Sequence, residues 1–326
     1  MIRGAEEKDI PSIMNFIDTN WKTGHILGNN REFFEYEFVR GGKVNFVISE
    51  DDFGEINGIE GYIVYSSEES CAFLVMWKTI RGNNPMLGIE ILQYIMNNTN
   101  VHSVASLGIN QNSIGIYQYL GLSTGTMVQW HRLNPETDYV IASIQDYEVL
   151  PVLAKQTGRL CHFNNFSELS QNFSFEHYYA SNPKLRKEAW YIEKRYFKHP
   201  IYQYHVYGIK TESETDSFIV FRIQEFNGHR VLRLVDVVGN YNRLYGVTEE
   251  IDLLMKQYDA EYVDCYEVGL PENEMERAGW KKVKGSGNII PNYFSPFVQE
   301  NIEIYYMSQD ADMIFFKADG DQDRPN

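Results

Sequence analysis

The sequence predicts a mixed α/β protein, with α+β character in its sheets, built as two consecutive domains of one plan. Three observations carry this. At 326 residues the chain is long enough for two ordinary cores. The order strand, polar turn, amphipathic helix, strand, short helix occurs twice, at 71–122 and at 230–280. The landmarks keep step: Gly88 and Gly246, like Gly121 and Gly279, stand 158 positions apart.

In the first copy, Asp9-Ile10-Pro11 precedes an apolar helix, with proline where a helix start tolerates it. The aromatic segment Phe33-Phe34-Glu35-Tyr36 follows, then a strand over Val44–Ser49. The apolar run 71–80 reads as a buried strand closed by an Asn/Gly/Pro turn, and Leu87, Ile91 and Ile95 share one face of the next helix. A strand over Val101–Ile109, a short helix ending in Gly121-Leu122 and a closing strand over 126–133 complete the copy.

The second copy opens with Val149-Leu150-Pro151 before another predicted helix, then Trp190-Tyr191-Ile192-Glu193 and a strand over Tyr204–Ile209. The strand Arg230–Gly239 leads through an Asn/Tyr/Gly loop to a helix with Val247, Ile251, Leu254 and Tyr258 on one stripe. A strand over Glu261–Val268 and a short helix ending in Gly279-Trp280 follow. Asn134-Pro135-Glu136 ends the first copy, so the expected domains are 1–140 and 141–326.

Composition narrows the function. The 43% hydrophobic and 14% aromatic content fits a packed chain, not a disordered one. The net charge of −16 is shared by both halves, with 9 basic and 17 acidic residues in 1–140 and 20 and 28 in 141–326, so neither half is a basic nucleic-acid module. No apolar run approaches the ~18 residues of a membrane span, and Met1–Asp9 is charged where a leader would be apolar, which makes the cytosol the expected compartment. Cys71, Cys161 and Cys265 are odd in number and far apart, and read as small buried residues. Asp319, Asp321 and Asp323 lack the later Gly and Glu of a calcium loop. They form a solvated acidic segment or, if ordered, bind an amino group or pair with Arg324. No metal is expected.

Segment 105–133 resembles the GCN5-related N-acetyltransferase (GNAT) family, on Asn110, Asn112, Ser113, Ile116-Tyr117-Gln118-Tyr119-Leu120-Gly121-Leu122 and Thr126–Leu133. The resemblance implies two tandem GNAT-like domains and acetyl-CoA as cosubstrate, held by a turn that opens onto a helix and offers main-chain N–H groups to the diphosphate. The corresponding stretch is Arg81-Gly82-Asn83-Asn84-Pro85-Met86-Leu87-Gly88, with Asn84 and Met86 in place of glycines; Gly239–Gly246 of the second copy is further from the pattern. The cofactor is therefore expected in the first domain, on Arg81, Gly82, Asn83, Asn84, Leu87, Gly88, Asn110 and Asn112, with a main-chain donor near Trp77, Lys78 and Thr79 for the acetyl oxygen.

By the same resemblance Tyr117 protonates the departing thiolate. His25, in the acceptor wall, suits proton removal near neutral pH. Glu60, in a strand pattern, faces the acceptor directly or through water, or faces solvent. In overall character the chain resembles two-domain GNAT-like proteins of bacterial surface-polysaccharide and amino-sugar pathways, on Trp21–Leu27, the aromatic segment at 33–38 and Phe315–Pro325. That implies an amine acceptor, in particular a nucleotide-linked amino sugar with Arg222, Arg230 and Arg233 as diphosphate ligands. Aminoacyl or peptidyl transfer, and a binding protein that has lost its cofactor, are the alternatives. No nucleic-acid or membrane partner is expected, and the chain is read as a monomer or homodimer.

Overall fold

The computed structural model describes residues 1–68, 71–80, 82, 84–181, 184–212 and 214–325; Arg81 and Asn83 of the expected turn lie outside the described residues. The protein is mixed α/β with two mixed sheets, and it divides into two compact units. The first comprises Met1–Thr124, Tyr306–Ala311 and the residues from Gly320 onward; the second comprises Gly125–Tyr305 and Asp312–Asp319.

The first unit is organised on a sheet whose strands lie in the order Ile2–Gly4, Phe46–Glu50, Ile56–Val64, Cys71–Thr79, Ser103–Leu107, Tyr305–Ser308, Ser123–Thr126. The fourth and fifth run parallel, which requires a crossover, and the helix Leu87–Asn98 supplies it. That helix buries Leu87, Ile91, Leu92 and Ile95, the face its periodicity announces. The aromatic segment forms the helix Arg31–Phe38, started by the Asn30 side chain accepting from the Phe33 N–H. Its Phe34 and Phe38 pack on Phe46 of the second strand.

The second unit repeats the order with Arg159–Phe163, His205–Lys210, Ser217–Phe226, His229–Gly239, Ala260–Val268, Val128–Leu133 and Lys281–Lys282. Its parallel pair, the fourth and fifth, is joined through the helix Thr248–Gln257, which buries Ile251, Leu254 and Met255.

Three expectations are corrected. The first continuous stretch of the first unit runs to Thr124 rather than to 140, because Val128–Leu133 pairs with Ala260–Val268, from Tyr262 opposite Leu133 to Glu267 opposite Val128. The side chains explain this: Trp130 is fully buried in the second unit and donates to Glu267 at 2.8 Å, while Arg132 binds Asp252 and the Gly279 carbonyl. The sixth position of the first sheet is filled by Tyr305–Ser308, so each sheet takes its sixth strand from the other end of the chain's order. Second, Val149-Leu150-Pro151 opens no helix. The chain runs on extended, with the N–H groups of Leu153 and Ala154 donating to Arg277, to the strand Arg159–Phe163 and a helix that starts at Phe166, capped by Asn165. Third, Cys161 is only half-buried, on an edge strand, whereas Cys71 and Cys265 are buried.

Candidate functional site

In the first unit the parallel strands Cys71–Thr79 and Ser103–Leu107 pair, among the described residues, at Cys71 with Ser103, Ala72 with Val104 and Phe73 with Ala105. Beyond this the ladder stops, and the Ser106 hydroxyl donates to the Leu74 carbonyl at 2.8 Å where the strands part. On its other edge Cys71–Thr79 carries a bulge: Ile59 opposes Lys78 and Gly61 opposes Val75, so Glu60 faces both Met76 and Trp77. Met76 has φ +59°, the left-handed region, which costs a non-glycine residue of order 1–3 kcal/mol. The distortion interrupts the ladder to Ile56–Val64 at Met76 and Trp77.

Around the opening stand Glu60, Trp77 and Tyr117. Glu60 is 1% exposed, its Oε2 has no hydrogen-bond partner among the described residues, and burial raises its carboxyl pKa well above the usual range. It does not face solvent, which closes one of the two readings of its strand. Tyr117, on the helix Ile114–Tyr119, is buried; burial first and the Glu60 charge second push its phenol above the ordinary range, so it keeps its proton to donate. The Trp77 ring lies against Tyr117 with centroids 5.5 Å apart, and its indole N–H donates to the Gly88 carbonyl at 3.1 Å. A carboxyl, a phenol and a splayed strand end can together remove one proton and deliver another at a reacting carbonyl.

Lys78 and Thr79 are half-buried at the strand's end. In the turn, Asn84 Oδ1 accepts the Met86 N–H at 2.9 Å, and Asn84 Nδ2 donates to Glu90 at 2.8 Å, which sets a carboxylate in the first turn of the helix where a diphosphate would lie. Gly82 stands in open space, Leu87 is buried in the core, and Gly88 lets the helix approach Trp77. Asn110 caps the turn Gln111–Ser113 by accepting the Asn112 N–H, so neither residue offers that pair of atoms to a ligand. His25 is buried and its Nδ1 accepts the Leu27 N–H at the start of the helix Ile26–Asn29.

The three arginines make no diphosphate site. Arg233 is 1% exposed and held by both Asp264 oxygens and by the carbonyls of Pro291 and Asn292. Arg230 pairs with Glu225 on the surface, and Arg222 lies over the Tyr202 ring. Among the described residues no group of three or more His, Cys, Asp or Glu is placed to hold a metal ion, and no helix is long and apolar enough to cross a membrane.

The second unit opens in the same way. Its parallel ladder ends at Leu234 with Cys265, just before a bulge at Val235. Here the gap is filled: Phe315–Phe316 pairs with Val268 and Glu267, and since Glu267 pairs on its other edge with Val128, the inserted strand lies on the parted side. The turn Lys317–Asp319 follows, with Asp319 accepting the Phe316 N–H at 2.7 Å. Lys187 Nζ stands 2.6 Å from both Asp236 and Asp319, and the Tyr196 hydroxyl donates to Asp236. Burial lowers the Lys187 pKa, but the two carboxylates outweigh it and keep the ammonium charged. Asp319 and Asp323 are thus buried, against the reading of a solvated segment. No feature of the sequence announced that this segment fills a sheet.

No family model and no curated protein matches the chain. Solved structures do. A GCN5-related N-acetyltransferase from Anabaena variabilis ATCC 29413 superposes with a TM-score of 0.57 at 12% identity, over 94% of this chain and 72% of that one. A conserved protein of unknown function from Enterococcus faecalis V583, a probable N-acyltransferase, gives 0.57 at 8% identity, over 96% and 73%. At such identities the likeness establishes architecture alone, and the architecture of this chain is that of the GCN5-related N-acetyltransferases.

Proposed function

We propose that the protein is an N-acyltransferase whose first unit moves an acyl group from a thioester to a primary amine. One observation carries this reading: the buried carboxyl of Glu60, with an oxygen that has no hydrogen-bond partner among the described residues, faces a strained bulge on the strand that parts from its parallel neighbour. In the reaction the neutral amine attacks the thioester carbonyl, whose oxygen accepts from a main-chain N–H of the Trp77–Thr79 segment. Glu60, directly or through a water, takes the amine proton, and the Tyr117 hydroxyl gives its proton to the sulfur as the C–S bond breaks. The amide and the free thiol leave. His25 is not assigned the base role, since its Nδ1 already serves the helix cap.

Acetyl-CoA is the donor the resemblance implies. The thioester end is matched by the residues present; the diphosphate end is not, because Asn84 consumes a turn N–H and Glu90 sets a negative charge there. The donor therefore gains little from its nucleotide. Thiol release in the presence of a primary amine tests this: acetyl-CoA and the short thioester S-acetyl-N-acetylcysteamine should turn over within about tenfold of each other. Tyr117→Phe should lower kcat by about 10²-fold with the donor KM unchanged. No thiol release with either donor, together with no thermal stabilisation by millimolar acetyl-CoA, would favour the second reading, a binding protein that keeps the fold, for which the turn's Asn84 and Glu90 speak.

A further inference from the structure

The residues from Gly320 onward belong to the first unit, although almost two hundred positions separate them from Thr124. A Cβ on Gly320 would stand 2.8 Å from Leu107 Cβ, so the segment lies directly on the end of the strand that has parted from Cys71–Thr79. The Gln322 amide then covers Gly108, whose φ of +72° and lack of a side chain permit the contact. Asp323 is buried, and Arg324 ends the path: its Nε donates to Glu37 Oε2 at 2.8 Å while Nη1 contacts the Gly320 carbonyl. Both partners of this pair are sealed, with side-chain exposures of 7% and 4%. Glu37 stands on the helix Arg31–Phe38, which packs on Ile56–Val64, the strand that carries Glu60. Within the first unit the segment thus runs from the end of the parted strand to the helix that packs on the strand carrying Glu60.

As a stabilising element this is a poor choice. Gly-Asp-Gln-Asp-Arg has no apolar side chain to bury, and a buried ion pair is commonly no better than a packed hydrophobic pair once desolvation is counted. What such a pair does well is discriminate, since either charge left alone is costly. A buried carboxylate on the helix that packs against the Glu60 strand, in a chain of net charge −16, is suited to a cation.

We propose that Glu37 is the recognition residue for a second positive charge on the acceptor, and that Arg324 is its internal stand-in, which the acceptor displaces. The acceptor class is then a small diamine or polyamine: one nitrogen, neutral, is acylated, and another, protonated, replaces the guanidinium on Glu37. This rests on the acyl-transfer reading for the reaction, though not for the binding.

The test uses the full chain carrying Arg324→Ala or Arg324→Lys, with spermidine as the probe and ethanolamine, a single charge, as control. In calorimetry Arg324→Ala should tighten spermidine at least about tenfold and ethanolamine less than about twofold, while Arg324→Lys stays within about threefold of the parent. Ethylguanidine should compete with spermidine on Arg324→Ala and, at the same concentration, not on the parent. Unchanged spermidine affinity in a folded Arg324→Ala variant, or tightening of both amines alike, overturns the proposal. Spermidine binding that tightens as described without any thiol release would sink the transferase reading and leave this site standing. Glu37→Gln should abolish the tightening in the Arg324→Ala background; should that double variant fail to fold, the Arg324 series still decides.

Discussion

The indole N–H of Trp77 donates to the main-chain carbonyl of Gly88 at 3.1 Å, and that one bond ties the end of the splayed strand to the first turn of the crossover helix. The bond exists because residue 88 has no side chain: a Cβ there would lie 2.8 Å from Trp77 Cζ2. Gly88→Ala should therefore cost about 1–3 kcal/mol in urea unfolding, and Trp77→Phe in the same chain should recover part of it. Full additivity of the two substitutions would show that they do not meet.

Glu60 has been placed where it works rather than where it is comfortable. Its folded pKa is raised by burial, so its contribution to stability is complete below the ordinary glutamate pKa and is lost as pH rises through the folded value. Glu60→Gln removes that loss. The variant should be more stable than the parent at pH 8 and equal to it near pH 4, while its turnover falls by about 10²-fold. Denaturant titrations at the two pH values, beside thiol-release rates, check both halves.

In the second unit the Lys187 ammonium stands between the Asp236 and Asp319 carboxylates, 2.6 Å from each. Lys187→Met leaves two buried carboxylates facing each other and should cost about 3–5 kcal/mol. Adding Asp236→Asn should restore part of the loss, because it removes one uncompensated charge. A shift in melting temperature that is the same with and without the second change would refute this account.

Two buried groups of the second unit oppose one another in acid. The His131 pKa is pushed down to about 4 by burial, so the stability its neutral form supports is lost as pH falls from 6.5 through 4. The Glu267 pKa is pushed up to about 7 by burial, despite hydrogen bonds from Trp130 and Leu270, so its contribution is full below 4.5 and is lost as pH rises through 7. His131→Asn should therefore gain on the parent by up to about 3 kcal/mol between pH 7 and 4. Glu267→Gln should lose by a similar amount over the same range. Unfolding free energies of the three proteins at four pH values give the two slopes.

Much of this fold was legible because it follows from periodicity. The stripe of Leu87, Ile91 and Ile95 and the apolar run at 71–80 each demanded a buried face, and the structure supplies it. Tyr117 and Glu60 were legible as candidates, but not their proximity, since burial depends on which strands part. The exchange of the sixth strands was hidden because Val128–Leu133 has the same pattern whichever sheet it joins; only the positions of Glu267 and Asp252 decide. Glu37 and Arg324 were hidden for a simpler reason: a polar segment near the end of a sequence reads as solvated unless its partner is known.

The exchanged strand also sets an order of events during synthesis. Ser103–Leu107 remains a bare sheet edge until Tyr305–Ser308 has emerged, roughly 180 residues after Thr124, which at 5–20 residues per second is about 10–40 s. For that interval the nascent chain carries a half-finished sheet with unpaired amides, the form most prone to recruit a neighbouring copy. Slow translation between 124 and 305 should therefore lower the yield of native protein, and a chaperone that shields strand edges should raise it.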